Sequence, residues 1–363
     1  MRKGLCEICS PKQWKTISTD LLTGTRYPVY GANGVIGYYS EYNHTEPTLL
    51  ITCRGATCGM LNICKPYSYV NGNAMALDNL TPDVNISYLY YYLQNRGFKD
   101  VITGSAQPQI VRQSLEKVQI YYPDLQIQTA IVSLLDKVSD LIYLRKQQLA
   151  KLDELVKSRF VELFGDVIRN DRGWEQYTFS DIATSRLGKM LDAKQQTGKY
   201  AYPYLANFNV QWFRFEIDNL NKMDFNEGDR REFELHDGDL LVCEGGEIGR
   251  CAVWHNEIQP CYFQKALHRV RCNQHIVLPD YMAWWFKYNC DHKGFAAIEG
   301  AKATIAHLPG AKLKALKVTA PPIEFQNHFV AFLKQTDKSK LAIQQSLDKL
   351  EFLKKALMQK YFG

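Results

Sequence analysis

The chain has 363 residues, a formal net charge of +6 and 46% apolar residues, which is enough for two domains with separate cores. No apolar stretch reaches membrane-spanning length and no secretory signal opens the sequence. The expected compartment is therefore the cytoplasm, with the ten irregularly spaced cysteines kept as thiols. Charge excludes little: residues 1–120 carry 11 Lys and Arg against 8 Asp and Glu, and residues 166–320 carry 20 against 20, a hint of a polyanion partner and no more.

The first expected domain, 1–122, is strand-rich with tight turns. Cys6-Glu7-Ile8-Cys9 is a lone CxxC without a second pair, so no zinc site is expected. Tyr30 to Tyr39 places glycine and asparagine where positive φ is needed, between aromatics that suit a sheet. No helical pattern follows Gly37, which argues against a nucleotide-binding loop. The strand Thr48–Cys53 leads into Arg54-Gly55-Ala56, then come a polar loop, Asn71-Gly72-Asn73, and a short aromatic helix, Tyr88 to Leu93. The domain ends on Gly104-Ser105-Ala106-Gln107-Pro108-Gln109-Ile110.

Residues 123–165 read as one long helix. Pro123 sits at its entry and Gly165 closes it. Apolar residues recur at steps of three and four: Ile131, Leu135, Val138, Ile142, then Leu149, Leu152 and Val156, with an interruption at Arg145. About 40 helical residues span roughly 60 Å.

The rest of the chain repeats this plan. In the second expected domain, 166–320, Leu240 to Gly249 matches Leu50 to Gly59 at an offset of 190, which sets Cys53 on Cys243. Tyr281 to Phe286 answers Tyr88 to Leu93, and Gly300 to Ile305 answers the Gly104 stretch. Residues 321–363 match 123–165 without a gap at an offset of 198, pairing Pro321 with Pro123, Gln326 with Gln128 and Phe362-Gly363 with Phe164-Gly165. A polar run, Lys334 to Lys340, interrupts this second helix, whose seam residues are Phe329, Leu333, Leu347, Leu350 and Leu357. A duplicated unit of this kind predicts an α+β fold. Two strand-rich domains are separated by two long helices that form an antiparallel coiled coil, with pseudo-two-fold internal duplication.

No catalytic constellation emerges. A glycine-rich S-adenosylmethionine loop, an Asn/Asp-Pro-Pro-aromatic motif, a Walker loop, HExxH and EF-hand spacing are all missing from the sequence. The single Pro-Pro, Pro321-Pro322, follows Ala320 at a helix entry. His236, His255, His268, His275 and His307 are isolated and read as surface or structural. No metal site and no catalytic residue is expected.

The order of domain, helix, domain, helix resembles the DNA specificity subunit of type I restriction-modification enzymes. The motifs that carry the resemblance are Tyr27-Pro28-Val29-Tyr30-Gly31-Ala32-Asn33-Gly34, Arg54-Gly55-Ala56, Glu244-Gly245-Gly246-Glu247-Ile248-Gly249-Arg250, Ala266-Leu267-His268-Arg269-Val270 and both terminal Phe-Gly pairs. The resemblance covers essentially the whole chain. It implies a non-catalytic subunit with two target-recognition domains, each reading half of a bipartite site in double-stranded DNA. It also implies two methyltransferase subunits docked on the helices, restriction/translocase subunits, and S-adenosylmethionine, ATP and Mg on those partners. The first domain is compact for this family. Two other roles stay open: a specificity chain of another modification system, and an assembly scaffold that binds protein.

Sequence readout needs Arg, Lys, Asn, Gln or His at base edges, with further polar groups on phosphates. Candidates in the first domain are Tyr30, Asn33, Arg54, Lys65, Asn71, Gln107 and Gln109. Those in the second are Lys189, Arg214, Lys222, Arg230, Arg231, Lys265, His268, Lys302 and Thr304. Arg230 and Arg231 lie among Asp229, Glu232 and Glu234, which favours local salt bridges. The aromatics Tyr88, Tyr90, Tyr91, Tyr92, Trp284 and Trp285 are expected in the core.

Overall fold

A computed structural model describes residues 1–32, 34–104, 106–192, 196–295 and 307–363. The chain forms two compact units, Met1–Gln148 with Ile343–Gly363, and Leu149–Ala342.

In the first unit a four-stranded antiparallel sheet runs Ser10–Gln13, Ala74–Asp78, Leu49–Thr52, Leu61–Ile63. Its central strand, Leu-Leu-Ile-Thr, is buried along its whole length, because both faces are covered. On one face Leu49, Ile51, Met75 and Leu77 pack with the aromatic helix Ile86–Arg96. On the other, Leu50 and Ala76 meet Tyr30 and Val70 from a three-stranded sheet, Gly34–Tyr39, Tyr27–Gly31, Tyr69–Val70, whose last pair is parallel. The aromatic helix starts at Asn85, whose side chain accepts from the Ser87 and Tyr88 amides, an ordinary N-cap. A two-stranded pair, Arg2–Gly4 with Gln119–Tyr121, closes the domain beside the start of the first long helix.

The second unit rebuilds this frame. Its four-stranded sheet is Ala183–Leu187, Leu267–Cys272, Leu240–Cys243, Cys251–Val253. Its three-stranded sheet is Lys222–Asp224, Ala201–Leu205, Tyr262–Phe263, again with a parallel last pair, and its aromatic helix is Pro279–Asp291. Glu175–Thr178 pairs with Lys317–Ala320. Among the described residues this unit adds a small hairpin, Val210–Gln211 with Arg214–Phe215, and the helix Glu227–Phe233.

Backbone register corrects the gapless offset of 190. Thr52 donates its amide to Met60 and receives that of Gly59, as Cys243 does with Arg250 and Gly249. Cys243 therefore stands at the place of Thr52, and the loop to the glycine is one residue shorter in the second unit. Successive strand residues face opposite ways, so Cys53 joins the core under the aromatic helix while Cys243 joins the core on the other face.

The long helices are continuous, Leu125–Phe164 and Ile323–Phe362, 40 residues each. The polar stretches at Arg145 and Lys334–Lys340 break the apolar stripe and leave the backbone helical. Each unit takes the start of one helix and the end of the other. In the first, Ile131, Val132 and Leu135 share a core with Met358, against which Leu357, Tyr361 and Phe362 pack. In the second, Phe160 meets Phe329 at 5.4 Å and Asp153 pairs with Lys340 at 2.6 Å. The pairing is antiparallel in both. Val138, Val156, Leu333 and Leu347 are also buried, whereas Ile142, Leu149, Leu152 and Leu350 are half-buried.

One residue pins each frame to its helix. Gln128 is fully buried; its carbonyl accepts from Asn85 N at 2.8 Å and its amide donates to the Asp83 and Pro123 carbonyls, each at 2.9 Å. Gln326, also fully buried, does the same with Leu278 N and the Ile276 and Pro321 carbonyls. Asn85 and Leu278 are the N-caps of the two aromatic helices, so each glutamine ties that helix to the long one.

Candidate nucleic-acid interface

In the first domain the loops at one end of the four-stranded sheet bring several candidates together. Arg54 follows the strand Leu49–Thr52, is exposed, and bridges Gln109 through its backbone. Gln109 in turn pairs with Thr103, closing a small loop that presents Gln107 and Gln109 to solvent. Gly104 makes that loop possible: its φ is +86°, and a Cβ would come within 2.5 Å of the Gln107 carbonyl oxygen. The Thr52 hydroxyl donates to the Ala32 carbonyl, which holds the turn of the 27–39 hairpin beside this group. Asn33 lies outside the described residues.

Three other candidates sit differently. Tyr30 is 6% exposed and its hydroxyl accepts from the Lys65 amide at 3.3 Å. Asn71 is 4% exposed and its side-chain Oδ1 accepts from Gly72 N at 2.7 Å. Both shape loops from inside. Lys65 is exposed, two residues past Ile63, which stands opposite Leu49; it lies at the far end of the strand from Arg54.

In the second domain Lys189 and Lys265 are neighbours, the Lys265 amide donating to the Lys189 carbonyl at 2.8 Å. Lys265 is exposed. The Lys189 ammonium is engaged by Asp229 at 2.6 Å and the Asp224 carbonyl at 2.7 Å. Lys222 is exposed on its strand opposite Pro203. Arg214, on the extra hairpin, pairs with Glu216 at 3.5 Å. Arg231 pairs with Glu227, and Arg230 donates to the Tyr202 hydroxyl at 2.7 Å. The acids expected for these arginines are used elsewhere, Asp229 by Lys189 and Glu232 by Arg186. His268 is 2% exposed, with Nε2 at 3.0 Å from the Leu308 carbonyl. Burial pushes its pKa below the ordinary histidine value, so the ring is neutral and donates that hydrogen bond. Lys302 and Thr304 lie outside the described residues.

The residues that hold the glycine loop 244–250 belong to no motif in the sequence. Asn207 donates to the Gly245 carbonyl at 2.9 Å and accepts from Arg250 at 2.8 Å, and the Trp212 indole donates to Glu247 at 2.6 Å. A signal for their neighbourhood was present: Tyr202-Pro203-Tyr204 stands in the second sheet where Tyr27-Pro28-Val29 stands in the first. Among the described residues no three His, Cys, Asp or Glu side chains gather to hold a metal ion. The buried thiols are held protonated, Cys9 pushed up to about 12 by desolvation.

Two copies of one α+β frame, each ending in loops that present amides and cations, define a two-domain recognition protein. Residues 2–154 and 171–351 both match the type I restriction modification DNA specificity domain, and the chain belongs to that family as a specificity subunit with two target-recognition domains for DNA. It is 24% identical over 380 residues to a Haemophilus influenzae protein assigned by name to the type I restriction enzyme specificity subunits, covering 95% of this chain and 91% of that one. The EcoprrI specificity subunit of Escherichia coli is 29% identical over 145 residues, 39% of this chain and 36% of that protein. The fold matches the type I restriction-modification S subunit of M. genitalium with a TM-score of 0.66 at 14% identity, covering 100% of this chain and 96% of that one.

Proposed function

We propose that this chain is the non-catalytic reader of a cytoplasmic type I restriction-modification complex, each domain recognising one half of a bipartite site in double-stranded DNA. The observation that supports this is the pairing of like frames with unlike loops: sheets, aromatic helix and buried glutamine repeat, while the connections 31–34 and 206–220 do not. Arg54, Gln107 and Gln109 are the leading base-contacting groups in the first domain. Lys265 leads in the second. S-adenosylmethionine, ATP and Mg belong to the partners, two methyltransferase subunits and the restriction/translocase subunits.

The two-fold methyltransferase stoichiometry is supported by a groove that occurs twice. In the second unit the end of the first long helix and the aromatic helix enclose about 850 Å³, lined by Lys157, Phe160, Trp284, Lys287 and Tyr288. In the first unit the end of the second long helix and its aromatic helix enclose about 500 Å³, lined by Gln94, Asn95, Lys355, Met358 and Gln359. The offset of 198 puts Lys355 on Lys157 and Met358 on Phe160. Equivalent surfaces take equivalent partners.

The helices are proposed to set the spacer between half-sites. Inserting one heptad after Gln147 and another after Gln345 keeps the apolar stripe in register and adds about 10 Å, about three base pairs at 3.4 Å each. Methylation mapping of the reconstituted complex is expected to show a longer spacer with both half-sites retained. An active complex with the original spacer would remove the helices from that role, and a mass measurement showing one methyltransferase at saturation would overturn the stoichiometry.

A further inference from the structure

One face of the four-stranded sheet differs between the copies in a way that exposes a site in the first domain, independent of DNA reading. Register equates four positions, two cross-strand pairs in each domain. Lys12 stands opposite Ala76 and Ser10 opposite Asp78, as Arg186 stands opposite Arg269 and Thr184 opposite Arg271. In the second domain the chain closes this face itself. Glu232 pairs with Arg186, the Phe233 ring lies 5.8 Å from the Arg186 guanidinium, and Arg269 donates to the Glu232 and Glu234 carbonyls at 2.8 and 3.1 Å. These closing residues lie at the end of the additional helix Glu227–Phe233.

The first domain has no helix in the corresponding connection, residues 40–48. The face is open there as a cleft of about 770 Å³ lined by Lys12, Trp14, His44, Glu46 and Asp78 among others. Asp78 is already engaged: it accepts from the Trp14 indole at 3.0 Å and faces His44 Nε2 at 2.9 Å. The other His44 nitrogen faces Asn43 Oδ1 at 2.6 Å. Lys12 is different. Its ammonium lies 3.7 Å above the Trp14 ring centre, and no carboxylate pairs with it among the described residues. It keeps the cation of the Arg186 position without the glutamate that answers it.

We propose that this cleft binds an acidic-aromatic segment of a partner protein. A carboxylate of the segment pairs with Lys12 and an aromatic ring enters the cleft beside Trp14, as the second domain seats its own Glu232 and Phe233. The chemistry is that of charge complementarity around a buried ring, the usual anchor of a short recognition segment.

The probe is a peptide with this chain's residues 226–236 carrying Arg231→Lys, labelled with a fluorophore and held helical by a lactam between the side chains at positions 227 and 231. It is titrated into the full-length chain and followed by anisotropy. Saturable binding at one site is expected. Phe233→Ala in the peptide is expected to weaken it about tenfold or more, and Lys12→Glu in the chain about fivefold. Lys12 is exposed, and circular dichroism of the variant checks that the fold is kept. Absence of binding, or binding indifferent to Lys12→Glu, overturns the proposal. Displacement of the peptide by a short DNA duplex also overturns it and assigns Lys12 to nucleic acid.

Discussion

The two domains share their sheets and differ in what leaves them. Between the paired strands of the three-stranded sheet the first domain makes a tight turn, Gly31 to Gly34, while the second makes an excursion over 206–220 that contains a hairpin of its own. Before the central strand the first domain runs directly from 40 to 48, and the second inserts the helix Glu227–Phe233. The frames instead agree down to single hydrogen bonds, as Gln128 and Gln326 do. A fold used twice for different targets keeps the contacts that fix its framework and varies the segments that reach solvent. That division can be broken experimentally.

The largest expected effect comes from exchanging residues 166–320 for those of another family member. One half of the methylated site should change completely and the other not at all. Altered preference in both halves, read by methylation mapping, would mean that the domains read jointly.

Gln128→Leu and Gln326→Leu test whether the frames are equivalent in energy. Each removes a buried amide and leaves one N–H and two carbonyls unpaired, costing about 3 kcal/mol or more. Thermal unfolding should show similar losses in the two variants. Strongly unequal losses would show that one unit is held by other means.

Loop residues should separate by role. Arg54→Ala is expected to cost about 1–3 kcal/mol in binding and to relax the sequence preference of the first half-site. Lys265→Ala should weaken all sequences alike and reduce the salt slope by about one. Affinity measured over a salt series on matched and mismatched duplexes distinguishes the two.

The smallest effect is one of pH. His268 is kept neutral by burial, with its folded pKa below the ordinary value, whereas the unfolded chain titrates near about 6.5. As pH falls below that value the unfolded state binds a proton first, so stability is lost on the acid side. The equivalent position in the first domain is Met75, which does not titrate. His268→Gln should therefore flatten acid-side stability for the second domain; an unchanged slope in urea unfolding between pH 5 and 7 would remove His268 as its source.

Much of the architecture could be inferred from residues alone, because the helices repeat at one offset and their apolar steps have one meaning. The sheets were harder. Offset matching aligned Cys53 with Cys243, yet a one-residue difference in loop length turns a strand over, and residue identity carries no record of that. Burial of polar candidates was likewise invisible. Tyr30 and His268 have side chains suited to a base edge, but their partners lie far away in sequence, Lys65 N for Tyr30 and the Leu308 carbonyl for His268, and Asn71 is turned inward onto the amide of its neighbour Gly72. Arg54, Gln107 and Gln109 could be grouped only once the 103–109 pairing was known. The helix Glu227–Phe233 went unnoticed because seven residues with one buried aromatic carry little periodicity.

The exchange of helix ends also has a consequence in time. The core of the first unit contains Met358, with Leu357, Tyr361 and Phe362 packed against it, and Phe362 meets Tyr88 at 5.2 Å. A ribosome reaches those residues long after it has made Gln148, the last residue of the unit's first segment. At about 5–20 residues per second the delay is roughly ten to forty seconds. Throughout it Ile131, Val132, Leu135 and the Tyr88 ring lack their closing partners. The domain translated first is thus the one completed last, and a nascent chain stalled within the second domain carries an open apolar seam for chaperones to guard.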